Sequence, residues 1–230
     1  MDRNAEREKL LHYAISSVGG FLGAYAIFNY CDFFGNAQTA NLIHIVCKIF
    51  SADYAGLFFL VIALITYMLG NVFCVIAEKF IKYDLQAISL LLTSCAVIII
   101  GIFPSISNSY IAILPILFVM PVQWNAYRTA GGYVSATVFS TNNLRVAVMS
   151  LTRYIIDKDP KQGEKAKFYW FTLFGFHAGV AVSCVASVFL GTKSIWFCFV
   201  PILISTAMYM HLNELGIRRL ANKLTFGTVK

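Results

Sequence analysis

The chain has 230 residues, of which 59% are hydrophobic and only 13% are charged, and its mean hydropathy is +0.71. This composition lies far outside the range of soluble globular proteins and predicts a membrane protein with the lipid bilayer as its partner. The net charge of +7 does not predict a nucleic-acid-binding protein, because the basic residues form no clustered face with interleaved aromatic residues.

Six apolar segments have about the length that an α-helix needs to cross roughly 30 Å of hydrocarbon. In chain order they cover residues 10–30, 54–77, 85–103, 110–127, 168–190 and 194–212. Because backbone amides cannot stay unpaired in lipid and the segments lack the alternation of barrel strands, they predict six transmembrane helices. The predicted fold class is all-α, a single transmembrane domain over 1–230 with a tail at 214–230. The first segment is too long and too weakly bounded for a signal peptide, so we expect it to be retained.

The positions of lysine and arginine predict the orientation, because these residues stay on the cytoplasmic side during insertion. With the N-terminus inside, sixteen of the eighteen basic residues fall on inner segments, and only Lys48 and Lys193 fall outside. We therefore expect both termini and the tail in the cytoplasm, and a location in the bacterial inner (plasma) membrane.

Two segments between the spans, 31–53 and 131–156, are too apolar for ordinary loops and resemble each other. Sliding the chain on itself by 102 positions gives six matches in about 25 columns. The matches pair Ala24, Tyr25, Thr39, Asn41, Leu42 and Val46 with Ala126, Tyr127, Thr141, Asn143, Leu144 and Val148. This similarity predicts an internal duplication, with repeat A at 10–104 and repeat B at 110–213.

Three spans in each repeat would turn the second repeat upside down relative to the first, as in many secondary transporters. An alternative lets segments 31–53 and 131–156 cross as well, which gives eight spans and parallel halves. That alternative would place Lys79 and Lys82 outside, against the charge rule.

Each of the two segments carries a polar motif directly before an amphipathic run. Residues 36–41 read NAQTAN ahead of Leu42, and residues 140–143 read STNN ahead of Leu144. Ser, Thr and Asn are cap-type residues, so each motif predicts an extra short helix whose first amides are capped by side chains. A helix that begins inside the bilayer aims a positive dipole end inward, which favours a small polar or anionic solute. The motifs equally allow two interfacial amphipathic helices without a ligand.

The predicted ligand-binding residues lie in and around these motifs and on two spans. They are Asn36, Gln38, Thr39, Asn41, Gln123, Asn125, Ser140, Thr141, Asn142, Asn143, Arg145 and His177. His177 is an ionisable side chain within a span, where such groups usually face the bundle interior; the alternative is a packed neutral histidine. We expect Arg145 either to contact a carboxylate or phosphate at the start of its helix or to anchor this helix at the membrane interface. For Trp124 we expect one of two roles: it lines a ligand-binding site, or it belongs to the aromatic belt at the membrane interface.

The sequence contains no motif of a catalytic or cofactor-binding site. The six cysteines form no C-x-x-C pair, and P-loop, GxSxG, HExxH and dinucleotide patterns are absent from the sequence. We therefore predict no enzymatic activity, no cofactor and no metal site. Small residues at Gly179, Ala181, Ser183 and Ala186 predict close helix packing, within the chain or in a homodimer.

The regions around both motifs resemble the signatures of the YoaK-type family of six-span bacterial membrane proteins of unknown function. GGFLGAYAIF and FFGNAQTANLIHI resemble the first signature, and PVQWNAYRTAGGYVSATVFSTNNLRVAV resembles the second. The resemblance implies six spans and a loose link to transport. Gly23 replaces the family's Asp, so a proton or cation site there would be lost. Ala40 and Asn142 replace Gly, and Ala40 would be strained in the left-handed conformation that Gly allows.

Together these features predict a small-molecule transporter or channel with a polar site between two capped half-helices near the membrane midplane. Two alternatives stay open. One is a ligand-binding membrane subunit that needs an energising partner, and the other is a scaffold or sensor that transports nothing.

Overall fold

The computed structural model describes residues 3–30, 35–36, 38–80, 84–103 and 109–226, and they are almost entirely helical. The helices are α1 (Arg3–Asn29), α2 (Thr39–Phe50), α3 (Tyr54–Phe80), α4 (Leu85–Ile102), α5 (Ser109–Ala112), α6 (Leu114–Ala126), α7 (Thr141–Asp157), α8 (Pro160–Leu190) and α9 (Phe199–Phe226). A 3₁₀ helix, Gly191–Cys198, joins α8 to α9, and strands β1 (Thr129–Ala130) and β2 (Tyr133–Val134) form a small antiparallel hairpin. The predicted all-α class is confirmed, with this hairpin as a minor addition.

Four helical stretches in these ranges are long and apolar enough to cross a membrane: Arg3–Asn29, Tyr54–Phe80, Leu85–Ile102 and Pro160–Glu214. The last has 55 residues and contains two of the predicted spans, 168–190 and 194–212. The predicted span 110–127 instead forms the four-residue α5 and the 13-residue α6. The helices are therefore those of a membrane protein, and the number of six spans stays a prediction.

Large apolar side chains on the outer faces of these helices fit a lipid environment. Phe174 and Phe189 on α8 are 73% and 80% exposed, and Val75 on α3 and Leu91 on α4 are also exposed. A soluble protein rarely leaves such continuous apolar surface in water, whereas hydrocarbon solvates it at no cost.

Local sequence explains where two of the helices start. Asp84 and Asp159 are N-cap residues in extended conformation, and their carboxylates accept hydrogen bonds from the amides of Gln86 and Lys161, each at 2.9 Å. Pro160 follows as the first residue of α8, where its missing amide proton is not needed. Both capping hydrogen bonds are exposed to solvent, and they stabilise the first turns of α4 and α8.

A short polar turn connects α2 to α3. Asp53 accepts hydrogen bonds from the Lys48 ammonium and from the Gly56 amide. These two contacts, the lysine contact first, hold the pKa of the Asp53 carboxyl below its usual value. The turn lies outside the membrane-spanning helices, and Ala52 within it has a positive φ of 56°.

Helix α1 lies at the centre of the fold. It packs against α8 and α9, while α6 packs against α3 and α4. Phe21, Leu22 and Tyr25 of α1 belong to the main buried cluster together with Ile116 and Leu117 of α6. Of the two helices that carry the motifs, α2 packs against α3 and α7 packs against α8.

Glycines allow α1 and α8 to approach backbone to backbone. A Cβ atom on Gly20 would overlap the carbonyl of Phe176, and one on Gly179 would overlap the carbonyl of Ser17. The predicted close packing of small residues is therefore confirmed within the chain at Gly179, whereas Ala181 lies on the exposed face of α8.

Side-chain contacts fix the relative direction of α1 and α6. Near the middle of α1, the Ile15 carbonyl accepts a hydrogen bond of 3.2 Å from Gln123 Nε2, near the end of α6. Near the end of α1, Ala26 lies together with Ile116, near the start of α6, where both contact the position that a Cβ on Gly35 would take. The two helices therefore cross antiparallel.

Similar contacts show that α8 runs parallel to α1. Tyr13 packs on Phe171 with ring centroids 5.7 Å apart, and Asn29 Nδ2 donates to Ser187 Oγ at 3.0 Å. Thr192, shortly before α9, accepts a hydrogen bond from Tyr25 near the end of α1, whereas Tyr209 of α9 packs on the cluster that contains Leu11 in the first half of α1. Helix α9 therefore runs antiparallel to α1. The chain therefore reverses direction between α8 and α9, at the 3₁₀ helix.

Candidate functional site

The two motif helices begin at matching positions. α2 starts at Thr39 and α7 at Thr141, 102 positions apart, with Gln38 and Ser140 as N-cap residues. Neither N-cap side chain accepts a hydrogen bond from the first turn, so the predicted side-chain caps are wrong. The reason is backbone conformation, because both residues are already near-helical, with ψ of −6° and −24°, whereas a capping side chain requires an extended backbone.

Asn41 and Asn143 lie 102 positions apart, and each is only 2% exposed. Asn41 Nδ2 donates to Gln38 Oε1 at 3.1 Å. Asn143 Nδ2 donates to the Ala136 carbonyl at 2.7 Å, and Asn143 Oδ1 accepts from Ser135 Oγ at 3.0 Å. Both side chains therefore point back along the chain and fix the segment that precedes their helix.

The first turns of α2 and α7 line one shared cavity of about 840 Å³. Its wall consists of Gln38, Thr39, Ala40, Leu42, Ile43, Tyr67, Trp124, Phe139, Thr141, Asn142 and Arg145. Six of these residues form three pairs that are 102 positions apart: Thr39 with Thr141, Ala40 with Asn142, and Ile43 with Arg145. Two segments predicted to be equivalent thus meet at one hollow, and its size is that of a site for a small organic ligand.

Aromatic side chains form the apolar wall of this cavity. The rings of Trp124 and Phe139 meet edge to face, with centroids 4.8 Å apart and an angle of 84°. Tyr67 reaches the cavity from the middle of α3. Trp124 therefore lies on the wall of this cavity, and a role in ligand binding stays a prediction.

Arg145 supplies the positive charge of the wall. Its Nη2 donates to Asn142 Oδ1 at 3.0 Å, and Nη1 lies 3.8 Å from the sulfur of Met149. Across the described ranges, the ion pairs join Lys9 to Glu6 and Lys48 to Asp53 and leave the guanidinium of Arg145 without a carboxylate partner. Arg145 is exposed, so this charge is available to a bound anion.

A second cavity of about 350 Å³ adjoins the first. It is lined by Ala24, Ile27, Phe28, Phe139, Ser140, Thr141, Phe176, Val180 and Cys184. Phe139 and Thr141 line both cavities, so the two hollows share a wall of two side chains. Ser140 Oγ is buried here without a hydrogen-bond partner.

Asn36 ties the first motif to the second and to α1. Its side chain is fully buried, and Nδ2 donates to the carbonyls of Gly19 at 2.7 Å and Val138 at 2.8 Å. Val138 is the residue 102 positions after Asn36. Asn36 does not line the cavity, and its amide instead holds the two motif segments together.

Gln123 and Asn125 also connect helices and do not line the shared cavity. Gln123 Nε2 donates to Thr137 Oγ1 at 3.2 Å, in addition to its bond to α1. Asn125 Nδ2 donates to Asn71 Oδ1 on α3 at 3.2 Å and to the Pro121 carbonyl at 2.8 Å. Their contacts are those of residues that position α6.

His177 lies apart from both cavities. It is exposed on α8, and its Nδ1 is 2.9 Å from the Leu173 carbonyl, one turn earlier on the same helix. The expected orientation of this side chain toward the bundle is therefore wrong, because the inward face of α8 carries the glycines that meet α1.

The two family departures at the helix starts cause no backbone strain. Ala40 and Asn142 both lie in the first helical turn, and among the described residues only Ala52 and Lys158 are non-glycine positions with positive φ. The expected strain at Ala40 is therefore wrong. Both side chains project into the cavity instead, so replacing Gly there changes the wall itself.

Apart from Trp124, for which a ligand wall was one of two interpretations, five wall residues were not among the predicted ligand-binding residues: Ala40, Leu42, Ile43, Tyr67 and Phe139. A hydroxyl in the middle of an apolar span was the one signal that could have indicated Tyr67. Phe139 and Ile43 are apolar residues in an apolar chain, and their position becomes visible only when the two motif segments are brought together.

Neither a curated protein nor a solved structure matches the chain. The family described as "Protein of unknown function (DUF1275)" matches residues 11–208. This range includes both motifs and every residue of the shared cavity, and it agrees with the resemblance to a membrane protein family of unknown function. The chain therefore belongs to the DUF1275 family.

Proposed function

We propose that the chain is a carrier or channel for a small polar or anionic solute, that the cavity between α2 and α7 is its binding site, and that it performs no catalysis. The observation that carries this proposal is the set of three equivalent pairs on one cavity wall. Two helix starts that share a hollow direct amide donors and positive dipole ends into it, as the half-helices of transporters do.

The proposed topology is six spans in two inverted repeats, A at 10–104 and B at 110–213. The antiparallel crossing of α1 and α6, the first helices of the two repeats, supports this over the eight-span alternative, in which both helices would run the same way. The eight-span alternative also requires α2 to cross, yet its 12 residues reach only about 18 Å.

The packing pairs support the same duplication. α1 contacts α8 and α9, the second and third long helices of repeat B, and α6 contacts α3 and α4, which hold those places in repeat A. The bond from Asn36 to Val138 joins equivalent positions, as expected near an axis that relates two repeats.

The surface of α2 favours a position in lipid over a position on the water interface. Its buried side chain is Asn41, and its exposed side chains include Leu42, Val46, Ile49 and Phe50. An interfacial helix has the opposite pattern, with polar residues toward water. We place the protein in the inner membrane with both termini cytoplasmic, and a homodimer remains part of the proposal.

Flux through proteoliposomes tests the proposal. Purified protein is reconstituted and assayed for uptake of a panel of polar and anionic metabolites, and the same panel is screened for ligand-induced thermal stabilisation. Thr141→Ile adds bulk to the cavity wall and should abolish uptake. Thr152→Ile, on an exposed position of the same helix, is the matched control and should leave uptake unchanged.

Three results are distinguishable. Uptake that Thr141→Ile abolishes supports a carrier or channel. Stabilisation by a solute without uptake supports the ligand-binding subunit and contradicts independent transport. If no solute in the panel is taken up or stabilises the protein, both functions are contradicted and a scaffold is favoured.

A further inference from the structure

The wall of the shared cavity is symmetric in position but not in charge. Thr39 and Thr141 are identical across the two motif helices, but one turn later Ile43 of α2 stands opposite Arg145 of α7. The site therefore has a charged side, from α7, and an apolar side, from α2. This difference determines which class of ligand the cavity can hold.

The charged side is suited to one anionic group. The Arg145 guanidinium has donors in a planar fork, and the Asn142 side chain and the Thr141 hydroxyl stand beside it on the wall. Arginine matches carboxylate geometry with two parallel hydrogen bonds. Among the eleven wall residues Arg145 is the only ionisable cation, which suits one negative charge better than a polyphosphate.

The apolar side is suited to a hydrocarbon or aromatic body. Leu42 and Ile43 face it from α2, and the perpendicular rings of Trp124 and Phe139 continue it. A ligand with hydroxyl groups all round, such as a sugar, would lose hydrogen bonds to water there without replacement. The volume of about 840 Å³ leaves room for a body larger than a simple anion such as acetate or phosphate.

We propose that the cavity binds an organic carboxylate with an aromatic or aliphatic body. The carboxylate lies at Arg145 and the first turn of α7, and the body lies against Trp124 and Phe139. This inference rests on the proposed binding function and names the ligand class for the same cavity.

The test compares three probes of one shape. They are 3-phenylpropionate, its neutral amide 3-phenylpropanamide and the cation 3-phenylpropylamine. Each is titrated by calorimetry into purified full-length protein in nanodiscs of phosphatidylcholine. The acid should bind, and the amide and amine should bind at least roughly 10-fold more weakly, since only the acid forms a charge-assisted pair with Arg145.

Two variants assign the site. Arg145→Gln should weaken binding of the acid by roughly 10- to 100-fold and leave the weak binding of the amide unchanged. Arg153→Gln removes a positive charge from an exposed position on the same helix that does not line the cavity, so it should change neither. Melting temperatures of both variants in the absence of probe show whether they remain folded.

Each alternative result overturns a defined part of the inference. Equal binding of acid, amide and amine overturns the anionic class and leaves the cavity as a binding site. Acid binding that Arg145→Gln does not weaken overturns the assigned position. Acid binding that is lost when phosphatidylglycerol replaces phosphatidylcholine assigns the anion site to a lipid headgroup and overturns the soluble carboxylate. Uptake of another solute from the metabolite panel, with no binding of the three probes, overturns this inference and leaves the proposed function intact.

Discussion

Replacing Asn36 by Leu removes the hydrogen bonds between the two motif segments while keeping the number and branching of the side-chain heavy atoms. The Val138 carbonyl then loses its donor in a site that is closed to water, whereas the Gly19 carbonyl loses a second bond and keeps the helical bond within α1. Each unsatisfied buried acceptor costs about 1–3 kcal/mol. Asn36 Oδ1 is itself buried without a partner, and its removal returns part of that cost. We therefore expect a net loss of about 1.5–3 kcal/mol in the free energy of unfolding.

The expected result is a fall of roughly 3–12 °C in the melting temperature in detergent, using about 2–4 °C per kcal/mol for a chain of this size. Asn29→Leu is the matched control, because Asn29 Nδ2 also makes two hydrogen bonds, to the Tyr25 carbonyl and Ser187 Oγ, but contacts neither motif. Its half-buried side chain should make the loss smaller. If Asn36→Leu melts within about 2 °C of the parent protein, or no lower than Asn29→Leu, Asn36 does not hold the motif segments together.

Three further predictions concern packing, topology and pH. Gly179→Leu should destabilise the protein by about 1–3 kcal/mol or more, because α1 leaves no room for its side chain, whereas Ala181→Leu on the exposed face of α8 should leave the melting temperature unchanged. In a cysteine-free background, a membrane-impermeant maleimide added outside should label Lys193→Cys but not Lys158→Cys, and the reverse pattern would contradict the proposed orientation. Asp53 contributes stability at neutral pH that is lost as the pH falls through its lowered folded-state pKa, so Asp53→Asn should slightly flatten the acid side of a plot of melting temperature against pH.

The sequence predicted the helices well where hydrophobicity alone decides the structure. The apolar segments at 54–77 and 85–103 correspond closely to α3 and α4, because a run of such length can be satisfied in lipid only as a helix. The segment 110–127 was harder, since a break after Ala112 divides it between α5 and α6. Hydropathy indicates whether a segment lies in lipid or in water, but it does not show where a helix within that segment is interrupted.

The starts of the two motif helices were predicted correctly, but the contacts of their side chains were not. The 102-residue similarity correctly indicated two equivalent helix starts at Thr39 and Thr141, because it depends on matched residues along the chain. It could not show that Asn41 and Asn143 turn back along the chain, since that depends on the conformation of the preceding residues. His177 illustrates the same limit, because a single ionisable residue in a helix does not reveal which face meets the core.

The replacements of family residues at the two helix starts change the cavity rather than the backbone. Glycine in the first turn of each motif helix would leave that part of the wall without a side chain. Here Ala40 adds a methyl group on the α2 side, and Asn142 adds an amide that accepts a hydrogen bond from Arg145. One replacement therefore makes the apolar side more apolar, and the other holds the guanidinium at the charged side. Because both changes act in the same direction as the difference between Ile43 and Arg145, they increase the difference in polarity between the two sides of the cavity.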